Sequence, residues 1–205
     1  MTSDLPRLLA GPAPDAARGL LGTLVRANGV TVRLAESEAY LGTGEDPASH
    51  AHRGPTPRTT VMFGPPGGLY VYFSYGMHWC ANVVCGPEGM ASAVLLRAGE
   101  VVEGIRLARE RRGAAVDRDL ARGPARLAQA LGLDGTATGT SVLDGQGPVV
   151  VVPGEPVEPG QVRSGPRVGV ATAADLPWRF WIAGDPFVSA YRRSARAVGS
   201  PTVPR

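Results

Sequence analysis

Apolar and polar positions alternate with a period of two early in the chain. Residues 23–27 (Thr-Leu-Val-Arg-Ala) and 30–38 (Val-Thr-Val-Arg-Leu-Ala-Glu-Ser-Glu) flank Asn28-Gly29, the dipeptide that best tolerates the positive φ angles of a two-residue hairpin turn. An antiparallel pair is predicted. In its second strand Val30, Val32 and Leu34 share a face, and the period carries Glu36 and Glu38 onto that same apolar, core-directed side. Ahead of the hairpin, residues 14–21 read as a short helix, with Pro14 early, Asp15 in the first turn, and Ala17, Leu20 and Leu21 at helical spacing.

Residues 42–66 carry Gly, Pro, Thr, Ser, His and Arg with little periodicity, a long irregular segment of the kind that is usually functional or disordered. Two β-prone runs follow, 68–75 and 77–85, read as a hairpin about Gly76 whose tip carries Tyr75. Residues 91–98 give another strand, ending at Arg97. A helix is predicted over 102–112, with Ile105 and Ala108 inward and Arg106, Arg109, Arg111 and Arg112 mainly outward, and a second over 123–131, opened by Pro124. Short strands are expected at 147–153 and at Arg167-Val-Gly-Val. The run 176–183 closes the sheet, and residues from about 200 to 205 form a loose tail. Strands mixed with a few helices, without βαβ alternation, favour an α+β fold: one domain over residues 1–205 on a curved antiparallel β-sheet.

Composition adds three constraints. At 205 residues and 43% hydrophobic, the chain can bury a proper core. No stretch approaches the roughly 18 uninterrupted apolar residues of a membrane span, and the first residues hold an acid and no apolar h-region, so a cytoplasmic protein is expected. The two cysteines, Cys80 and Cys85, sit apart from any His cluster and read as free buried thiols. All 21 basic residues are arginine, because the sequence has no lysine. Without lysine no side chain can form a Schiff base with a sugar aldehyde, which leaves the terminal amine alone. A formal net charge of +3 is compatible with a polyanionic partner but is weak support for one.

A carboxylate on the apolar side of a strand is costly to bury ionised. Its pKa should rise toward neutrality unless donors surround it, which suits a general base acting on water. Either Glu36 or Glu38 could serve, and a structural ion pair with one of the many arginines is the competing reading. Tyr40, Tyr70, Tyr72 and Tyr75 are four of the five tyrosines. Clustered tyrosines commonly pack a sheet, yet rings beside a carboxylate are also what an extruded nucleobase requires.

Glu38-Ala-Tyr-Leu-Gly, His50, Thr56-Pro-Arg58, Met62-Phe63, Tyr70-Val-Tyr-Phe-Ser-Tyr75-Gly-Met, Cys80-Ala-Asn82 and Leu95-Leu-Arg97-Ala stand in order along the chain. Gly123-Pro-Ala-Arg-Leu-Ala-Gln-Ala-Leu, Arg167-Val-Gly-Val and Asp185-Pro-Phe-Val-Ser follow. This series, which spans nearly the whole chain, resembles the alkyladenine, or 3-methyladenine, DNA glycosylase family.

The resemblance implies a DNA base-excision repair enzyme that flips alkylated or deaminated purines (3-methyladenine, hypoxanthine type) out of the duplex and hydrolyses the N-glycosidic bond. Glu38 would deprotonate the attacking water, aided by Arg97. Tyr40, His50 and Tyr72 would hold the flipped base, and Asn82 would crowd the exocyclic amine of guanine. The protruding hairpin would intercalate, with Tyr75 filling the gap in the stack and Met77 wedged beside the lesion, while Arg58 contacts DNA. The loop after Tyr40 is one residue longer than in the family, so His52 competes with His50 for the base contact, His50 being preferred. His78 replaces a carbocyclic aromatic residue of mammalian members.

The expected partner is double-stranded DNA containing damaged purines, met by a monomer at the nucleoid. No metal or organic cofactor is called for, and with no lysine no lyase activity is expected. Cationic bases leave readily, whereas neutral ones need a proton, for which a histidine is a candidate donor. Two other readings compete: a damaged-DNA binding protein that does not cut, with Glu38 structural, and an enzyme acting on small nucleosides, which would leave the Tyr75 hairpin and Arg58 without a task.

Overall fold

The structure is a computed structural model that describes residues 4–74, 76–145 and 147–197. The predicted first hairpin is present as β1 (Leu24–Ala27) and β2 (Val30–Tyr40), with Leu24 opposite Arg33 and Ala27 opposite Val30. Asn28 and Gly29 adopt φ of 47° and 77°, so two successive residues meet the positive-φ requirement of the turn. Helices α1 (Leu5–Leu9) and α2 (Ala13–Gly19) precede it. The sequence reading found α2 but not α1, whose five residues, started by an Asp4 cap on the Arg7 amide, are too few to show a period.

Strands β3 (Leu69–Ser74) and β4 (His78–Val84) form the second predicted hairpin. Strand β5 (Ala93–Glu103) runs beyond the expected end at Arg97, and α3 (Ile105–Arg112) therefore begins later than residue 102. Val101 and Glu103 instead continue the ladder against Val32 and Thr31. The strand gives way to the helix at Gly104, which has φ of 73° and where a Cβ would lie 2.2 Å from the Gly29 carbonyl oxygen. Only glycine fits there. Ala108 is buried as expected, but Ile105 is 38% exposed, since it occupies the first turn, where the helix has just left the sheet. Helix α4 (Pro124–Ala130) follows as predicted, and β6 (Val149–Val152), β7 (Val162–Gly165) and β8 (Arg179–Ile182) complete the order. Arg167-Val-Gly-Val is irregular, not a strand; the neighbouring strand is β7, which was not predicted.

The sheet has eight strands in the path β3-β4-β5-β2-β1-β6, and β8 joins β2 beyond the end of β1 and carries β7 on its other edge. All pairings are antiparallel. The fold is α+β, a single domain on a curled antiparallel sheet with four α-helices among the described residues. None of these helices is long and apolar enough to cross a membrane.

One irregularity decides the site. Leu34 pairs with Gly99 and Glu36 with Ala98, which leaves Ala35 as an extra residue on β2. Such a bulge reverses the alternation of side chains. Leu34, Ala35 and Ala39 all pack into the main core, and the Ser37 hydroxyl donates to the Ala17 carbonyl of α2 at 2.7 Å. Glu36 and Glu38 therefore share a face, as expected, but it is opposite to that of Val30, Val32 and Leu34.

Candidate active site

Glu36 and Glu38 are both fully buried. Glu38 Oε2 accepts from the Tyr40 hydroxyl at 2.9 Å and from Arg97 Nη1 at 3.2 Å, while Oε1 accepts from the Val168 amide at 2.7 Å. Every partner is a donor, the arrangement an ionised carboxylate takes. Burial and the Glu38 charge push the Tyr40 phenol well above its ordinary value, so Tyr40 keeps the proton it donates.

Glu36 is held more completely. Its Oε1 receives Arg97 Nε at 2.8 Å, Arg179 Nε at 2.7 Å and the Ser189 hydroxyl at 3.0 Å; its Oε2 receives the Ser189 amide at 2.7 Å. Burial alone would raise the Glu36 carboxyl, but the charges of Arg97 and Arg179 and the Ser189 hydrogen bond outweigh it and hold it below its usual value. Of the two carboxylates, Glu36 is thus an anchor. Glu38 carries one bond fewer and is tied to one arginine where Glu36 is tied to two.

A cavity of about 590 Å³ opens beside this cluster, and Tyr40, Arg97 and Val168 form the part of its wall nearest Glu38. Its volume falls within the roughly 300–1,000 Å³ of small-molecule sites. Another part of the wall is aromatic. Tyr70 and Tyr72, two residues apart on β3, stack with ring centroids 5.4 Å apart, and His50 meets Tyr72 edge-on at 4.6 Å. His50 Nδ1 lies 3.2 Å from the Tyr70 hydroxyl. Burial and then the Arg58 charge lower the His50 pKa below its usual value, which favours the neutral imidazole. A neutral His50 suits stacking and hydrogen bonding better than proton donation to a leaving base. Asn82 is fixed by donation from Nδ2 to the Tyr70 carbonyl at 3.1 Å.

The structure brings Tyr40, His50, Arg58, Tyr72, Asn82 and Arg97 to one cavity, with Glu38 behind its wall. His52 does not border it, whereas His50 does. Met77 is 66% exposed beside the β3–β4 turn, and Tyr75 lies outside the described residues. Cys80 and Cys85 are free and buried, as expected, and Cys80 borders the cavity. Among the described residues no three His, Cys, Asp or Glu side chains gather as metal ligands do.

Several site residues escaped the sequence reading. Arg179 sits inside the apolar run Arg-Phe-Trp-Ile, and a charge in such a run signals a buried partner. Asp46 and Arg167 are another such pair, with Asp46 on the irregular loop and Arg167 in the segment mistaken for a strand. Ser189 closes the motif Asp185-Pro-Phe-Val-Ser, which carried part of the resemblance without a role for Ser189.

A carboxylate with only donors around it stands behind a cavity large enough for a purine and walled by tyrosines and an imidazole. The methylpurine-DNA glycosylase (MPG) family description matches residues 7–186. The chain belongs to this family of DNA-repair glycosylases. Relatives named "Putative 3-methyladenine DNA glycosylase" include one from Nocardia farcinica, 54% identical over 195 residues, which covers 93% of this chain and 92% of the relative. One from Frankia casuarinae is 53% identical over 203 residues, with 94% and 92% covered. One from Streptomyces avermitilis is 55% identical over 190 residues, with 89% of each chain covered.

Proposed function

We propose that the protein excises 3-methyladenine- and hypoxanthine-type purines from duplex DNA by hydrolysis, with Glu38 as the general base, and leaves an intact abasic site. The observation that carries this reading is the donor set on Glu38: Tyr40, Arg97 and Val168 fix the carboxylate, whose Oε1 has a single partner and, in this reading, accepts from the attacking water. That water gives its proton to Glu38 and its oxygen to C1′, while the electron pair of the C1′–N bond departs with the purine. Arg97, pinned by Glu36, keeps Glu38 oriented.

The lesion enters the cavity between Tyr40 on one side and His50 and Tyr72 on the other, and Asn82 disfavours guanine. Tyr75, with Met77 beside it, fills the space the base has vacated, and Arg58 contacts the DNA. Cationic bases leave without help; neutral ones take a proton as they depart. The whole chain acts as one glycosylase domain and as a monomer, in the cytoplasm at the nucleoid.

The test is incubation with duplex oligonucleotides that each carry one defined lesion, followed by chromatography of the released bases. Release of 3-methyladenine and hypoxanthine, with an alkali-labile site left in the strand, is expected. Tight binding to lesion DNA without any free base would refute the catalytic assignment.

A further inference from the structure

We infer that Arg196 receives a backbone phosphate beside the extruded nucleotide, an inference that rests on the glycosylase reading above. Ser194 and Arg196 lie beyond the last strand, yet they line the same cavity as Tyr40, His50 and Arg97. Two ties bring their segment there. The Ser189 amide and hydroxyl bond to Glu36 at 2.7 and 3.0 Å, and Arg179 Nη2 donates to the Ser189 carbonyl at 2.9 Å. Farther along, the Gly169 amide donates to the Arg192 carbonyl at 3.0 Å. The chain from 189 to 196 is thus a strap that runs from the buried acid cluster to the rim of the cavity.

The charges around the cavity are one-sided. Among the described residues Arg58, Arg97 and Arg196 line it and no Asp or Glu does. Arg97 is committed to Glu36 and Glu38, and Arg58 stands over the Tyr72 ring at 5.3 Å. Arg196 is exposed and forms no ion pair among the described residues, whereas nearby Arg193 pairs with Asp175 at 3.0 Å. A base lodged in the cavity remains attached to its sugar, so its flanking phosphates must lie at the rim. A guanidinium held at that rim without a carboxylate offers the planar fork that a phosphate accepts.

Counterion release distinguishes a phosphate contact from a structural role, because each phosphate neutralised adds about 0.9 to the slope of log Kd against log salt. Kd is measured by fluorescence anisotropy for a duplex containing a tetrahydrofuran abasic analogue, from about 50 to 200 mM KCl. Arg196→Gln should make the slope shallower by about 0.9 and weaken binding most at low salt, while Arg196→Lys keeps the slope. Arg193→Gln should match the wild type. An unchanged slope in Arg196→Gln, or an equal loss in Arg193→Gln, overturns the assignment. If the wild type still releases hypoxanthine from duplex DNA in that case, only the phosphate contact has failed; if it neither releases base nor binds the duplex, the glycosylase reading has failed with it.

Discussion

Asp46 and Arg167, 121 residues apart and both fully buried, form a two-point ion pair, with Arg167 Nη1 2.6 Å from one carboxylate oxygen and Nη2 2.9 Å from the other. The pair joins three parts of the site. Asp46 also accepts from the amides of Leu41 and Ala48, which shapes the loop that presents His50. The Arg167 guanidinium lies 4.6 Å from the Tyr40 ring centroid and donates to the Ala39 carbonyl at 3.1 Å. Its chain neighbour Val168 donates to Glu38.

Asp46→Asn should therefore destabilise the protein by about 3–5 kcal/mol, the usual cost of leaving one member of a buried ion pair unmatched. Urea unfolding followed by tryptophan fluorescence measures it. A midpoint equal to that of the wild type would show that the pair contributes nothing.

Glu38→Gln keeps the shape of the side chain but cannot take a proton from water. Base release should fall by about 10²–10⁴ while lesion binding is largely retained, as expected when a general base is lost. Single-turnover kinetics and anisotropy titrations read the two effects separately, and near-wild-type turnover would remove Glu38 from its role.

Asn82 borders the cavity and donates to the Tyr70 carbonyl, which favours this placement of its side chain. Asn82→Ser should enlarge that part of the cavity and raise excision of xanthine, or of guanine from mispairs, relative to hypoxanthine. An unchanged ratio in competition assays would rule out steric gating by Asn82.

Stability should decline in two acid stages. The folded-state pKa of His50 is depressed below 6.5, by burial and then by the Arg58 charge. That of Glu36 is depressed below 4.5, because the Arg97 and Arg179 charges and Ser189 overcome the opposing effect of burial. For each group the unfolded chain takes up a proton before the folded one does. Each contribution is therefore complete above the unfolded value and is lost as pH falls through the folded value. Urea midpoints should drop first below about pH 6.5 and again below about pH 4.5. His50→Gln should flatten the first stage and leave the second; identical profiles for variant and wild type would contradict this.

The absence of lysine leads to a prediction about the sugar. β-Elimination needs an amine that condenses with the C1′ aldehyde, and the arginine guanidinium, protonated at any relevant pH, cannot serve. The product strand should stay intact until alkali is added. A borohydride-trapped protein–DNA adduct, or breaks before alkali, would point to the terminal amine as a nucleophile.

Local order was legible in the sequence. The Asn28-Gly29 turn, the two glutamates on one face of β2, the β3–β4 hairpin and the row of tyrosines follow from dihedral preference and period-two alternation within about ten residues. Tertiary structure alone decided where those residues point and what holds them. The Ala35 bulge arises from pairing with β5 and turned Glu36 and Glu38 away from the core face that simple alternation assigned them. Asp46–Arg167, Arg179–Glu36 and Ser189–Glu36 connect residues 121, 143 and 153 apart. Partners at such distances are chosen by the need to satisfy buried charge, and that need exists only once the sheet has closed around the glutamates.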